Sequence, residues 1–186
     1  AVPSIVVGHT RLGCAPSGSL YWGFRAVEAL GFVTWPRQNR LDVVPSDWAA
    51  RALLHLLTRP TLRHQRYHVS AGATSSINWN DLARTFACIK DPAAARSRYR
   101  IASPEAYQEA VARCRAAFGQ GNVRHIATVL RHYRRFAEWN VVFSNRRLLA
   151  EGVPPPPRFT DYLELCERTS SGRSIVDQMS ENAVDL

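Results

Sequence analysis

The stretch LDVVPSDWAARALLHLL, residues 41–57, does most to limit what this chain can fold into. A short β-branched run, Val43-Val44, is stopped by Pro45, which has no amide hydrogen to give to a neighbouring strand. Ser46 or Asp47 is then placed to cap the helix that follows by accepting its free amide hydrogens. From there Trp48, Ala49, Ala52, Leu53, Leu56 and Leu57 share one broad helical face, with Arg51 and His55 off it. A buried strand that runs directly into an amphipathic helix needs a sheet for the helix to lie on, and this places the chain in the α/β class.

The neighbouring segments repeat that grammar. PSIVVGH (3–9) is a β-branched run ending in glycine, and LYWGFRAVEALG (20–31) has helical spacing with Gly31 as a C-cap. RYHVSAG (66–72) alternates as a strand, and Asn78 with Asp81 three residues on forms a capping box for a helix through about Ile89. The spacing therefore predicts an α/β unit over 1–90. Ser103-Pro104-Glu105 opens a helix, and a second helix is expected over 123–139, so 91–153 reads as a helical, basic region. VPPPPRF (153–159) must be extended, and it leads to a last helix from about Thr160, so 154–186 reads as a proline-rich spacer with a terminal helix. The chain begins at Ala1-Val2-Pro3, directly in a strand, and is read as a portion of a longer polypeptide. A half-sheet of that kind is expected to leave an open strand edge.

The net charge of +9 raises the question of a nucleic-acid partner. The basic excess is concentrated in 84–135, whose aromatic residues are spaced as core positions and not as stacking platforms, so nucleic acid is the less favoured partner. The four cysteines are far apart and unpaired in sequence, without zinc-ligand spacing, and are expected to be separate thiols. His64 with His68 lacks a carboxylate neighbour, and His125 with His132 lies on the basic helix, where like charge opposes a cation, so no metal site is expected. No apolar run is long enough to span a bilayer, and a cytoplasmic setting is the expectation.

Two pieces of dinucleotide chemistry are missing from the sequence. The glycines at 8, 13, 18 and 23 match neither the dinucleotide-binding nor the phosphate-binding loop. A catalytic tyrosine four residues before a lysine is also ruled out, because the only lysine is Lys90 and position 86 is Phe86. No catalytic residue is therefore assigned.

VPSIVVGHTRLG, LDVVPSDWAARALLHLL and RYHVSAGATSSINWNDLA resemble, in order and spacing, the region after the catalytic tyrosine in extended short-chain dehydrogenase/reductases. The closest branch is that of the thioester reductases and fatty acyl-CoA reductases, also called male-sterility-like. The resemblance covers about 2–90, with a second stretch over 139–168. It implies the C-terminal, substrate-side portion of a Rossmann-type fold. It further implies that Pro3, Ser4, Ile5 and Val6 pass beneath the nicotinamide of NADP or NAD, and that Gly8, His9, Thr10 and Arg11 line the substrate cleft. Asp42, Val43, Val44, Pro45 and Asp47 would seat the substrate region on the dinucleotide domain. The implied substrate is an acyl thioester or acyl-CoA, or a phosphopantetheine thioester on a carrier protein. Val2 stands where the family has arginine, and the cofactor-binding half is absent. The alternatives are another extended reductase or epimerase portion, or a basic module for nucleic acid or an acidic partner.

Overall fold

The strand–proline–helix unit forms as its sequence requires. In the computed structural model, which describes residues 2–14, 20–93, 99–101, 112, 113, 115, 116, 134 and 137–178, the chain is mixed α/β with short strands. The elements through residue 90 are β1 (Val2–Pro3), β2 (Ile5–Val6), α1 (Tyr21–Leu30), β3 (Phe32–Val33), β4 (Arg40–Leu41), β5 (Val43–Val44), α2 (Ser46–Thr58), β6 (His68–Val69), α3 (Gly72–Ser75), β7 (Ile77–Asn78) and α4 (Trp79–Lys90). Beyond them lie β8 (Arg100–Ile101), α5 (Arg146–Ala150) and α6 (Phe159–Ser170). The helices expected after Ser103 and over 123–139 fall largely outside the described residues.

Residues 2–7 form the central strand, and it changes partner halfway along. β1 pairs in parallel with β6, and β2 pairs in parallel with β5. Amide hydrogens alternate sides along a strand. The Ser4 amide donates to the Val69 carbonyl at 2.9 Å, while the Ile5 and Val7 amides donate to the Asp42 and Val44 carbonyls at 3.3 and 3.0 Å. The strand is thus bordered on both sides by its own chain, along different halves, and the open edge expected from the sequence is only partial. β4 and β7 add an antiparallel pair, and β3 and β8 a parallel one.

The two faces of β5 go to different cores. Val43 joins Val7, Phe24, Phe86, Phe159 and Leu163 in a cluster under α1, α4 and α6. Val44 joins Trp48, Ala52, Leu56, Val69 and Leu148 under α2 and α5. Each valine is almost fully buried, which contributes about 1.5–3 kcal/mol per side chain. Gly31 ends α1 in the left-handed conformation at φ 69°, and the Asn78–Asp81 capping box opens α4, as the spacing predicts. The proline segment supplies carbonyls to its neighbours. Pro154 accepts the Trp48 indole and Pro156 accepts the Ser75 hydroxyl.

Two expectations are corrected. Neither Ser46 nor Asp47 caps α2: Pro45 occupies the cap position, no side chain bonds there, and the Ser46 amide is satisfied by the Gly8 carbonyl at 2.8 Å. Leu57 is 82% exposed, because α2 lies on the sheet through a stripe of only four residues, Trp48, Ala49, Ala52 and Leu56. The described cysteines Cys14, Cys88 and Cys166 are free thiols, as expected, with Cys14 and Cys166 buried together beside Gly8. The missing Cβ of Gly8 makes this approach possible, because a methyl there would lie 2.7 Å from the Cys166 sulfur.

One carboxylate ties these pieces together. Asp42, buried, accepts the Ser70 hydroxyl at 2.7 Å, the Ala71 amide at 2.7 Å and the Phe143 amide at 3.1 Å. Its own carbonyl takes the Ser4 hydroxyl at 2.7 Å as well as the Ile5 amide. Asp42→Ala strands the buried Ala71 amide and the part-buried Phe143 amide, while the Ser70 hydroxyl keeps the Phe143 carbonyl as acceptor, and each unsatisfied group costs ~1–3 kcal/mol. The expected loss is about 3 kcal/mol or more, read from the urea midpoint, and a loss below about 1 kcal/mol contradicts this assignment.

Candidate functional site

A cleft of about 580 Å³ opens beside the central strand. Its floor comes from Ser4 and Ile5, and one side from Gly23, Phe24 and Val27 of α1. Trp35 and Trp79 close the back. The roof is an irregular strap, residues 139–145, which turns Trp139, Val141 and Phe143 toward the cleft at every second residue. The lining is almost wholly carbon, with Arg40 and Asp42 as its charged members.

The strap is held by polar contacts to elements that precede it by about a hundred residues. Asn39 donates to the Ala137 carbonyl at 2.8 Å, and the Arg40 amide donates to Asn140 Oδ1 at 2.7 Å. Asn140 adopts φ 49°, in the left-handed region that asparagine tolerates. Farther along, Asp42 takes the Phe143 amide, and Asn145 donates to the Ser70 carbonyl at 3.0 Å. Gly72, at φ 65°, packs so closely on Asn145 that a Cβ would collide with its side-chain amide. On the opposite side, Gly23 has nothing within 4 Å of a notional Cβ among the described residues, so α1 leaves a gap facing the cleft.

Arg40 also borders a second, polar cavity of about 370 Å³. Gln38, Thr74, Ser76, Asn78, Asp81 and Arg158 complete it. Arg158 lies 3.4 Å from Asp81, whereas Arg40 bonds to the Ser76 hydroxyl and the Ala73 carbonyl and has no carboxylate partner among the described residues. One guanidinium therefore stands between an apolar and a polar compartment.

The structure separates the residues that the sequence grouped together. Ser4 and Ile5 border the cleft, whereas Val6 is partly exposed. The loop Gly8, His9, Thr10 and Arg11 does not border it and packs instead on α6, where Gly13, at φ 71°, comes so near that a Cβ would lie 2.7 Å from the Leu165 carbonyl. Pro3 has no amide hydrogen, and the amides of Ser4 and Ile5 are already bonded within the sheet. No glycine loop is present for a pyrophosphate, so these residues do not by themselves fit a dinucleotide. Among the described residues no group of three or more His, Cys, Asp or Glu is placed to hold a metal, and no helix is long and apolar enough to cross a membrane.

Sequence reasoning missed Arg40, Trp35, Trp79 and the strap. Only the alternation of Trp139, Val141 and Phe143 hinted at a wall. Within the basic stretch, Arg84 pairs with Asp81, Lys90 with Glu28 at 2.7 Å, and Arg134 with Glu138 at 2.6 Å. These members are internally compensated and do not form an open stripe.

Asp47 anchors the 8–13 loop in place of capping its helix. Its carboxylate accepts the Thr10 amide at 3.1 Å and the Thr10 hydroxyl at 2.7 Å, and Arg51 approaches to 3.1 Å. His9 Nδ1 accepts the Arg11 and Leu12 amides, so in that tautomer its 4.0 Å approach to Asp47 is not an ion pair. Burial alone would raise the Asp47 carboxyl. The Thr10 hydrogen bonds, with Arg51, outweigh this and hold it below its usual 3.8. A lowered folded value means that the ionised form stabilises the fold above the unfolded value, and that this contribution fades as pH falls through the folded one. Thr10→Val should move the Asp47 carboxyl upward in a ¹³C NMR titration and lower stability at neutral pH, by an amount that shrinks as pH falls through the folded value. An unmoved titration would refute the anchor.

No family model, curated protein or solved structure matches the chain.

Proposed function

We propose that this chain is the substrate-binding part of an NAD(P)-dependent reductase acting on an acyl thioester, an acyl-CoA or a related carbonyl. The observation that carries the reading is the pair of compartments sharing Arg40, one apolar and one polar. An acyl chain on CoA, or on carrier-bound phosphopantetheine, has the same division, with an apolar tail followed by an anionic, hydrogen-bonding arm. The tail lies in the cleft over Ser4 and Ile5, and the arm meets Arg40 and Arg158. This chain's residues bind and orient the substrate. The dinucleotide loop and the proton donor belong to another segment, in keeping with their absence from the sequence, and the bound NADP or NAD supplies hydride there.

Burying about eight methylenes at ~0.8 kcal/mol each gives about 6 kcal/mol, or a Kd of roughly 10–100 µM for a decanoyl thioester. Calorimetric titration with decanoyl-CoA should show saturable binding in that range, with CoA alone weaker by at least about tenfold. Gly23→Phe puts a ring where a Cβ would meet nothing within 4 Å among the described residues, and removes a glycine from α1 that costs ~0.5–1 kcal/mol. This variant should keep or raise the melting temperature and lose acyl binding. No binding of decanoyl-CoA, or equal binding by Gly23→Phe, contradicts the reading. The reductase half is checked in the longest polypeptide that contains these residues, by acyl-CoA-dependent loss of reduced nicotinamide absorbance.

A further inference from the structure

Arg40 is tied to the rest of the chain through one side-chain nitrogen. Its Nη2 donates to the Ala73 carbonyl and to the carbonyl and hydroxyl oxygens of Ser76, which fastens the side chain to α3 and the residue after it. Nε and Nη1 have no acceptor among the described residues. A guanidinium presents its N–H donors in a planar fork, so one side of the Arg40 fork is taken and the other is left over. The polar cavity that Arg40 borders holds about 370 Å³ and is lined almost wholly by nitrogen and oxygen, a volume within the range of small-ligand pockets.

The charges around this cavity do not cancel. Arg158, half exposed, touches a carboxylate only loosely, with Nη2 3.4 Å from Asp81 Oδ2. Asp81 is already committed elsewhere. Its Oδ1 takes Arg84, and its Oδ2 takes the Asn78 amide at 3.2 Å in the capping box of α4. Arg40, Arg84 and Arg158 bring three positive charges and Asp81 one negative charge, so this group of four is left with two positive charges. Uncharged donors stand beside them. Asn78 spends its Oδ1 on the Asp81 amide and keeps its Nδ2, and the Ser76 hydroxyl, which accepts from Arg40, keeps its own hydrogen to give.

Forked guanidinium donors flanked by hydroxyl and amide donors suit a tetrahedral oxyanion. A phosphate monoester carries a charge of about −1.5 to −2 at neutral pH, which matches the excess, whereas a diester carries half as much. We infer that the polar cavity binds a phosphate monoester, held as a dianion between Arg40 and Arg158. This bears on which acyl carrier the protein takes, because CoA has a phosphate monoester on its ribose while phosphopantetheine is joined to a carrier protein by a diester. The cavity favours free acyl-CoA. The phosphate site stands on the cavity alone, and only the choice of CoA rests on the reading of the apolar cleft as an acyl site.

The test uses the whole chain with methyl phosphate as the probe and dimethyl phosphate as the singly charged control, followed by ³¹P NMR titration at constant ionic strength. Methyl phosphate should bind with a Kd of roughly 1 mM and dimethyl phosphate at least about tenfold more weakly. Arg40→Gln and Arg158→Gln should each weaken methyl phosphate by about tenfold, while Arg51→Gln, on α2 beside Asp47, should leave it unchanged. No binding of methyl phosphate, equal binding of the two esters, or equal weakening by Arg51→Gln overturns the phosphate site. If Arg40→Gln fails to fold, the half-exposed Arg158 decides the matter. Decanoyl-CoA should in turn bind about tenfold more tightly than its dephospho form, and Arg158→Gln should abolish that advantage. Equal binding of these two thioesters overturns the choice of CoA and leaves the phosphate site standing on methyl phosphate. Binding of neither thioester, with methyl phosphate still bound, removes the acyl reading and the choice of CoA together.

Discussion

Asp42 is the contact on which the rest of this architecture hangs. A buried carboxylate is stable only when donors replace its water shell, and here they come from the turn after β6 and from the strap, while its own carbonyl holds the central strand. Removing any one of these segments leaves the others with unbonded polar groups. The cleft therefore follows from the way a charge was buried: the strap is drawn over Ile5 and Phe24 because its amide at Phe143 completes the Asp42 shell. Chemistry-bearing residues gather where this shell meets the apolar floor.

The local parts of this structure were legible in the sequence. α1, α2, α4 and α6 follow from helical spacing, and their ends from Gly31, Pro45 and the Asn78–Asp81 pair, because each signal lies within a few residues of what it governs. Leu57 shows the limit of periodicity. Spacing assigned it to the buried face, but the width of the stripe that the sheet covers is set by neighbours it cannot see. Asp47 shows a second limit. A short acidic residue at a helix start fits a cap, yet Thr10, thirty-seven residues earlier, competes for the same oxygens with two donors.

The candidate site was less legible for the same reason. Ser4 and Ile5 lie in a recognisable strand, but their cleft is made by Trp35, Trp79 and a strap more than a hundred residues away, which no local pattern links. Arg40 is one arginine among many in the sequence. It stands out only once β4 pairs with β7 and leaves its guanidinium between two cavities, without a carboxylate partner among the described residues. In the basic stretch, the described Arg84 and Arg134 are paired with nearby acids, Asp81 and Glu138.

The change of partner along the central strand bears on how the molecule avoids self-association. Ile5 and Val7 aim their amides toward β5, so the position two residues earlier on that flank is Pro3, beside the half that β6 covers from the other flank. An incoming strand would find no hydrogen to bond at that place. Among the described residues, that flank of the strand is thus a poor template for a further strand.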